Sequence, residues 1–171
     1  MKDLYMISLG GKVKGCNLEV HDVQFVATDH IDESVELLKR HWYGLADKLH
    51  MDSYKVITGA DGYTVRLTQE KPENNKQLYF VHLGGYKKDS TQELHEVGLF
   101  VGEAVQEVKE RVLNETIVAD IENHVDNIVC VKDCMLSSDG ETYYVELSES
   151  HETYDRSPDW FGYRRLDIAS N

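Results

Sequence analysis

Two histidine–aspartate pairs, His50-x-Asp52 and His124-x-Asp126, and two further histidines, His21 and His95, are the residues whose types and spacing could do chemistry. Side chains two apart on a strand share a face, so each pair sets an imidazole beside a carboxylate. His21 and His95 would add a second imidazole to each. Two histidines and a carboxylate suit a divalent metal such as zinc, iron or manganese. A structural reading competes with this one. His21 shares a face with Val23 and Phe25, and His95 with Val97 and Leu99, so both histidines are expected to be at least half buried. There they would bond a neighbouring carboxylate or carbonyl, while each HxD orders the start of a strand. No helical HExxH is present.

A second candidate is the pair of double glycines. Gly10 and Gly11 precede Lys12 and Lys14, and Gly84 and Gly85 precede Lys87 and Lys88. A loop of successive glycine amides flanked by lysines can cradle a small anion. The plainer reading is a hairpin loop that uses glycine to turn and lysine to stay solvated. Neither GxxxxGK[ST] nor GxGxxG occurs, so nucleotide binding is not supported. Cys130 reads as a small core residue on a strand and Cys134 as a loop thiol, and no GxSxG elbow exists. Asp61, Asp139 and Glu146 are among many acids, and no catalytic dyad is readable.

The elements that carry these residues occur twice. At an offset of 74 positions Leu4, Tyr5, Leu9, Gly10 and Gly11 meet Leu78, Tyr79, Leu83, Gly84 and Gly85. Glu19, His21 and Val23 then meet Glu93, His95 and Val97, and His50 and Asp52 meet His124 and Asp126. Matches that return to one offset predict an internal duplication. In the first copy, "LYMISL" and "LEVHDVQFV" read as strands, followed by a helix striped by Ile31, Val35, Leu38 and Trp42 and capped by Thr28 or Asp29. "HMDSYKVI" and "GYTVRLTQ" then form a hairpin across the Asp-Gly of "TGADG". In the second copy the helix stripe is Val101, Val105, Val108 and Val112, and the last hairpin loop is "KDCMLSSDG".

The predicted fold is therefore α+β: two tandem β-β-α-β-β repeats related by a pseudo-twofold, with antiparallel or mixed sheets and one helix each. The repeats occupy residues 1–76 and 77–150. Residues 151–171 form an aromatic tail, with Trp160, Phe161 and Tyr163, that packs on the body or on a partner chain.

The strand–LGG–loop–"LEVHDVQFV" pattern, echoed by "LYFVHLGG" and "ELHEVGLFV", resembles a bacterial family known as domain of unknown function 1543. Its members look like one or two copies of this unit, and the resemblance covers nearly all of residues 4–150. Val20 departs from the leucine expected before the histidine. The resemblance implies no activity. Taken from the second strand onward, each copy is also similar to the paired β-α-β-β-β modules of the vicinal oxygen chelate enzymes. Those enzymes place His and Glu across two modules, which would give Glu146 a ligand position in copy two, where copy one has Arg66.

The chain of 171 residues carries 18 Lys and Arg against 31 Asp and Glu, a net charge of -13 that repels phosphate backbones and anionic membranes. Nucleic acid and membrane are excluded as partners on that ground, and no run reaches the length of a membrane span. Three cysteines without CxxC spacing point to reduced thiols and the cytoplasm. The leading expectation is a small acidic cytoplasmic binding or interaction protein without catalysis. Its partner would be a second copy, another protein, or a small anionic ligand. The alternatives are a divalent-metal-dependent enzyme on a small molecule, drawing His and carboxylates from both repeats, and an acidic immunity or inhibitor protein.

Overall fold

The structure, a computed structural model, describes residues 2–115 and 121–167. Residues 168–171, the end of the expected tail, lie outside the described residues. The fold is α+β, dominated by strands.

Alternation along "DLYMISLGG" gives strand β1 (Asp3–Gly11) two apolar faces. Tyr5, Ile7 and Leu9 enter one core, while Leu4 and Met6 enter another on the opposite side. Strand β2 (Val20–Thr28) pairs antiparallel with β1 on one side, and β3 (His50–Val56) on the other. Between them the chain makes a 3-10 turn, Ile31–Ser34, and a short helix α1, Val35–His41. Ile31, Leu38 and Trp42 bury against Tyr5, Ile7 and Leu9, with Val35 partly buried beside them.

The expected stripe is therefore real, although a 3-10 turn and a capping tryptophan carry its two ends. Its cap is neither Thr28 nor Asp29. His30 Nδ1 accepts from the Asp32 amide at 3.3 Å. Thr28 is still strand, its hydroxyl donating to His30 O and Glu33, and Asp29 holds Lys2 at 2.8 Å.

Residues 59–68 form a two-residue strand β4 (Gly59–Ala60) and β5 (Tyr63–Thr68). The second half then lays down β6 (Gln77–Lys87), β7 (Leu94–Gly102), helix α2 (Val105–Glu115) and β8 (Ile121–Cys130). Its sheet has the order β7-β6-β8. Tyr79, Val81 and Leu83 bury under Val108 and Val112 of α2. Val101, expected on the helix, is the penultimate residue of β7 and belongs to the core between the sheets.

The fourth strands depart from expectation. The Asp61-Gly62 turn, with both residues at positive φ (52° and 78°), closes only the β4–β5 hairpin. β3 stays with β1, whereas β5 pairs antiparallel with β10 (Tyr144–Glu149) from the other half, giving a third sheet, β10-β5-β4. "KDCMLSSDG" is no hairpin loop; it holds a helical turn α3 (Val131–Cys134) and β9 (Leu136–Ser137), which pairs parallel with β2.

The physical reason lies in what these strands bury. Val65, Leu67 and Leu147 share one core with Leu4, Phe25, Leu78 and Val101, filling the space between the two larger sheets. Phe25 and Phe80 meet there edge to face at 5.4 Å. Asp61 locks this junction, taking the Val101 amide at 2.7 Å and pairing with Arg111 of α2. Finally β11 (Trp160–Arg165) adds to the edge of β3, completing the order β11-β3-β1-β2-β9. Among the described residues no helix is long and apolar enough to cross a membrane.

Candidate metal centre

Registry, rather than loop geometry, assembles the histidines. Gly10 on β1 lies opposite His21 of β2 on one side and His50 of β3 on the other. Gly84 on β6 lies opposite His95 of β7 and His124 of β8 in the same way. Both ladders then slip at one place. The β1–β3 register passes from Leu9–Met51 to Ser8–Ser53, leaving Asp52 unpaired, and the β6–β8 register passes from Leu83–Val125 to His82–Asn127, leaving Asp126 unpaired. Each carboxylate is thus the extra residue of a β-bulge, a device that re-aims a side chain.

A glutamate two residues before each first histidine completes the group. In the first half His50 Nε2 lies 3.0 Å from Glu19 Oε1 and 3.3 Å from Asp52 Oδ1, and His21 Nε2 lies 3.4 and 3.6 Å from the same two side chains. In the second half His124 Nε2 is 2.9 Å from both Glu93 Oε1 and Asp126 Oδ1, and His95 Nε2 is 3.8 Å from Glu93 Oε2. Donors on one ion at about 2.0–2.2 Å stand roughly 2.9–3.6 Å apart in octahedral or tetrahedral geometry. The close contacts in both halves fall in or near that range.

Three further observations define the chemistry of these groups. His50 is buried, and its Nδ1 lies 3.2 Å from the Lys48 carbonyl oxygen. A carbonyl only accepts, so Nδ1 carries a proton, and in the neutral ring Nε2 turns its lone pair toward the two carboxylates. Glu93 Oε1 is buried and accepts no hydrogen bond, despite the imidazole nitrogen beside it. Glycine, finally, keeps the space open. A Cβ on Gly10 would clash with His50 Nε2 and Glu19 Oε1, and one on Gly84 with His124 Nε2 and Glu93 Oε1. Tyr163 lies against the His50 ring at 4.3 Å and Tyr86 stacks on His124 at 5.2 Å, walling one side of each group. The Glu93 charge and a hydrogen bond to Glu93 raise the Tyr86 phenol above its ordinary pKa.

All six metal-ligand candidates, His21, His50, Asp52, His95, His124 and Asp126, stand in these two groups. Two expectations about them change. His21 and His95 are exposed, at 64% and 48% of their side-chain surface, because β2 and β7 hold them where their sheets run out past the core. The carboxylates and imidazoles also converge within each half, as cross-strand neighbours must, and not across the two.

Glu19, Glu93, His82, Tyr86 and Tyr163 were not among the candidates. The repeated E-x-H before each strand carried the signal for the two glutamates. His82 and Tyr163 have no repeated counterpart, since positions 8 and 89 hold Ser and Asp.

The glycine–lysine candidates sit elsewhere than expected. All four glycines are buried strand residues; Gly10, Gly84 and Gly85 have a partner strand on each side and Gly11 pairs with Val20 of β2 alone, so they lie within sheets and form no loop cradle. Lys12 and Lys14 follow β1 in an exposed loop. Lys87 and Lys88 edge an open depression of about 540 Å³ with Tyr86, Ile121 and Glu122. Glu146 faces Arg66 across the β10–β5 ladder and stands in neither set of three donors that converge within 4.8 Å among the described residues, both of which lie in the second half. Cys130 and Cys134 are half buried, and burial pushes the Cys134 thiol up to about 11.

Comparison with solved structures finds similarity to the crystal structure of protein Il1583 from Idiomarina loihiensis, with a TM-score of 0.72 and 27% identity over 97% of this chain and 99% of that one. No curated protein matches the chain. Residues 16–67, which carry Glu19, His21, His50 and Asp52, match the model of the family described as Domain of Unknown Function (DUF1543).

Proposed function

We propose that the protein is a divalent-metal-binding protein that holds one ion in each half and presents it to a small anionic molecule. The observation that carries this reading is the buried Glu93 Oε1, 2.9 Å from His124 Nε2 and without a hydrogen bond. A shared cation accounts for that pair where a single misaligned proton does not. Glu19, His50 and Asp52 bind the ion of the first half, and Glu93, His124 and Asp126 that of the second. His21 and His95, further out and exposed, complete the shell or yield a position to an exogenous ligand. Nitrogen and oxygen donors in this ratio suit zinc, manganese or iron.

We further read the halves as tandem copies related by a pseudo-twofold. The support is that both glycine–histidine registers and both bulges recur at the same offset. Three free cysteines support a reducing, cytoplasmic setting.

The test is calorimetric titration of chelator-stripped protein with Zn²⁺ and Mn²⁺, alongside a Glu19→Gln/Glu93→Gln double variant. Wild type is expected to take up at least one ion per half and to melt at higher temperature when loaded. The variant is expected to lose both effects. A wild-type chain that takes up neither metal overturns the reading.

A further inference from the structure

The halves differ at one position of the site. Where the first half has Ser8, the second has His82, on the same strand face as Gly84. Its ring stacks on that of His95 at a centroid distance of 4.8 Å and 23°. Both rings then turn Nδ1 toward a single atom. His82 Nδ1 and His95 Nδ1 each lie 3.5 Å from Asp126 Oδ2, while the other oxygen of that carboxylate, Oδ1, faces His124 Nε2 at 2.9 Å.

Asp126 therefore belongs to two separate sets of converging donors: Glu93, His124 and Asp126 in one, and His82, His95 and Asp126 in the other, each with all its ligand atoms within 4.8 Å of one another. From this we infer that the second half holds a dinuclear metal centre, with the Asp126 carboxylate bridging the two ions and Glu93 offering its second oxygen toward His95.

The geometry supports two ions rather than one displaced ion. The two oxygens of a carboxylate diverge, and a bridging carboxylate lets ions sit about 3.5–4 Å apart, the separation used by two-metal sites. The bulge at Asp126 makes this possible, because it frees the residue from the ladder and lets both oxygens reach donors on β6, β7 and β8. In the first half Asp52 has the same bulge, but Ser8 supplies no imidazole, so that half is mononuclear. Paired ions can clamp both oxygens of one bound anion, such as a phosphate or carboxylate, which one ion cannot do as symmetrically.

This inference rests on the metal-binding reading above, and the experiment separates the two. Full-length protein stripped with EDTA is titrated with Mn²⁺. Free aqueous ion is counted from its EPR signal, and the bound species is examined for spin coupling. Wild type is expected to bind three ions per chain and to show a coupled Mn–Mn signal. His82→Ser, which installs the residue found at the matching place in the first half, is expected to bind two and lose the coupling. His95→Gln, a change at an exposed side chain, is expected to lose the coupling as well. Two ions in wild type with no coupled signal overturn the dinuclear centre and leave one ion per half standing. No bound ion overturns both.

Discussion

Glu93 Oε1, shielded from solvent and without a hydrogen bond, stands 2.9 Å from Nε2 of the partly exposed His124. A carboxylate oxygen left this way inside a protein costs on the order of 1–3 kcal/mol. Replacing it by an amide is therefore expected to be harmless, or slightly stabilising, in metal-free protein, while removing an ion's ligand. Glu93→Gln is expected to weaken metal uptake by the second half by at least about 10-fold, since loss of an outer-shell partner alone costs roughly 10–100-fold. Calorimetry of loaded and stripped protein checks both halves of this statement.

Glycine at the centre of each cluster is expected to be a requirement of the ligands rather than of the backbone. Gly10 and Gly84 lie in strands, and neither has positive φ. Alanine would be acceptable to the chain but would overlap His50 Nε2 or His124 Nε2. Gly10→Ala is expected to abolish uptake by the first half and spare the second, and Gly84→Ala to do the reverse. Stoichiometry measured by elemental analysis distinguishes them.

The junction between halves is expected to depend on Asp61. Its carboxylate accepts the Val101 amide and pairs with Arg111, from a backbone at φ 52°. Asp61→Ala leaves an amide and a guanidinium short of a partner and sets alanine in a left-handed conformation, a loss of about 2–4 kcal/mol. Asp61→Asn tolerates the conformation and keeps one acceptor, so it is expected to lose less. Urea unfolding of the two variants gives the comparison.

Stability in alkali is expected to fall through Cys134. Burial raises its thiol from 9.0 to about 11, so between these values the folded chain holds a proton that the unfolded chain has released. Stability from this group is complete below pH 9 and is lost as the pH rises toward 11. Thermal melts across that range are expected to decline less steeply for Cys134→Ala than for wild type. Below pH 9 the two curves are expected to run parallel.

Much of this molecule is written locally. The offset that matches Gly10 with Gly84, His50 with His124 and Asp52 with Asp126 is a property of residue order, as are the period-two faces of β1 and β6 and the Asp61-Gly62 turn. Those features located all six histidine and aspartate ligand candidates, because strand alternation fixes which side chains share a face. Partnership between strands is not local. That β5 leaves its own half to pair with β10 follows from the burial of Val65, Leu67 and Leu147 between two sheets distant in sequence. The bulges at Asp52 and Asp126, the glutamates that reach in from the strand starts, and the stacking of His82 on His95 depend on cross-strand register. Register is set by how whole sheets pack, so only the tertiary structure decided that each half builds its own cluster and that the two clusters are unequal.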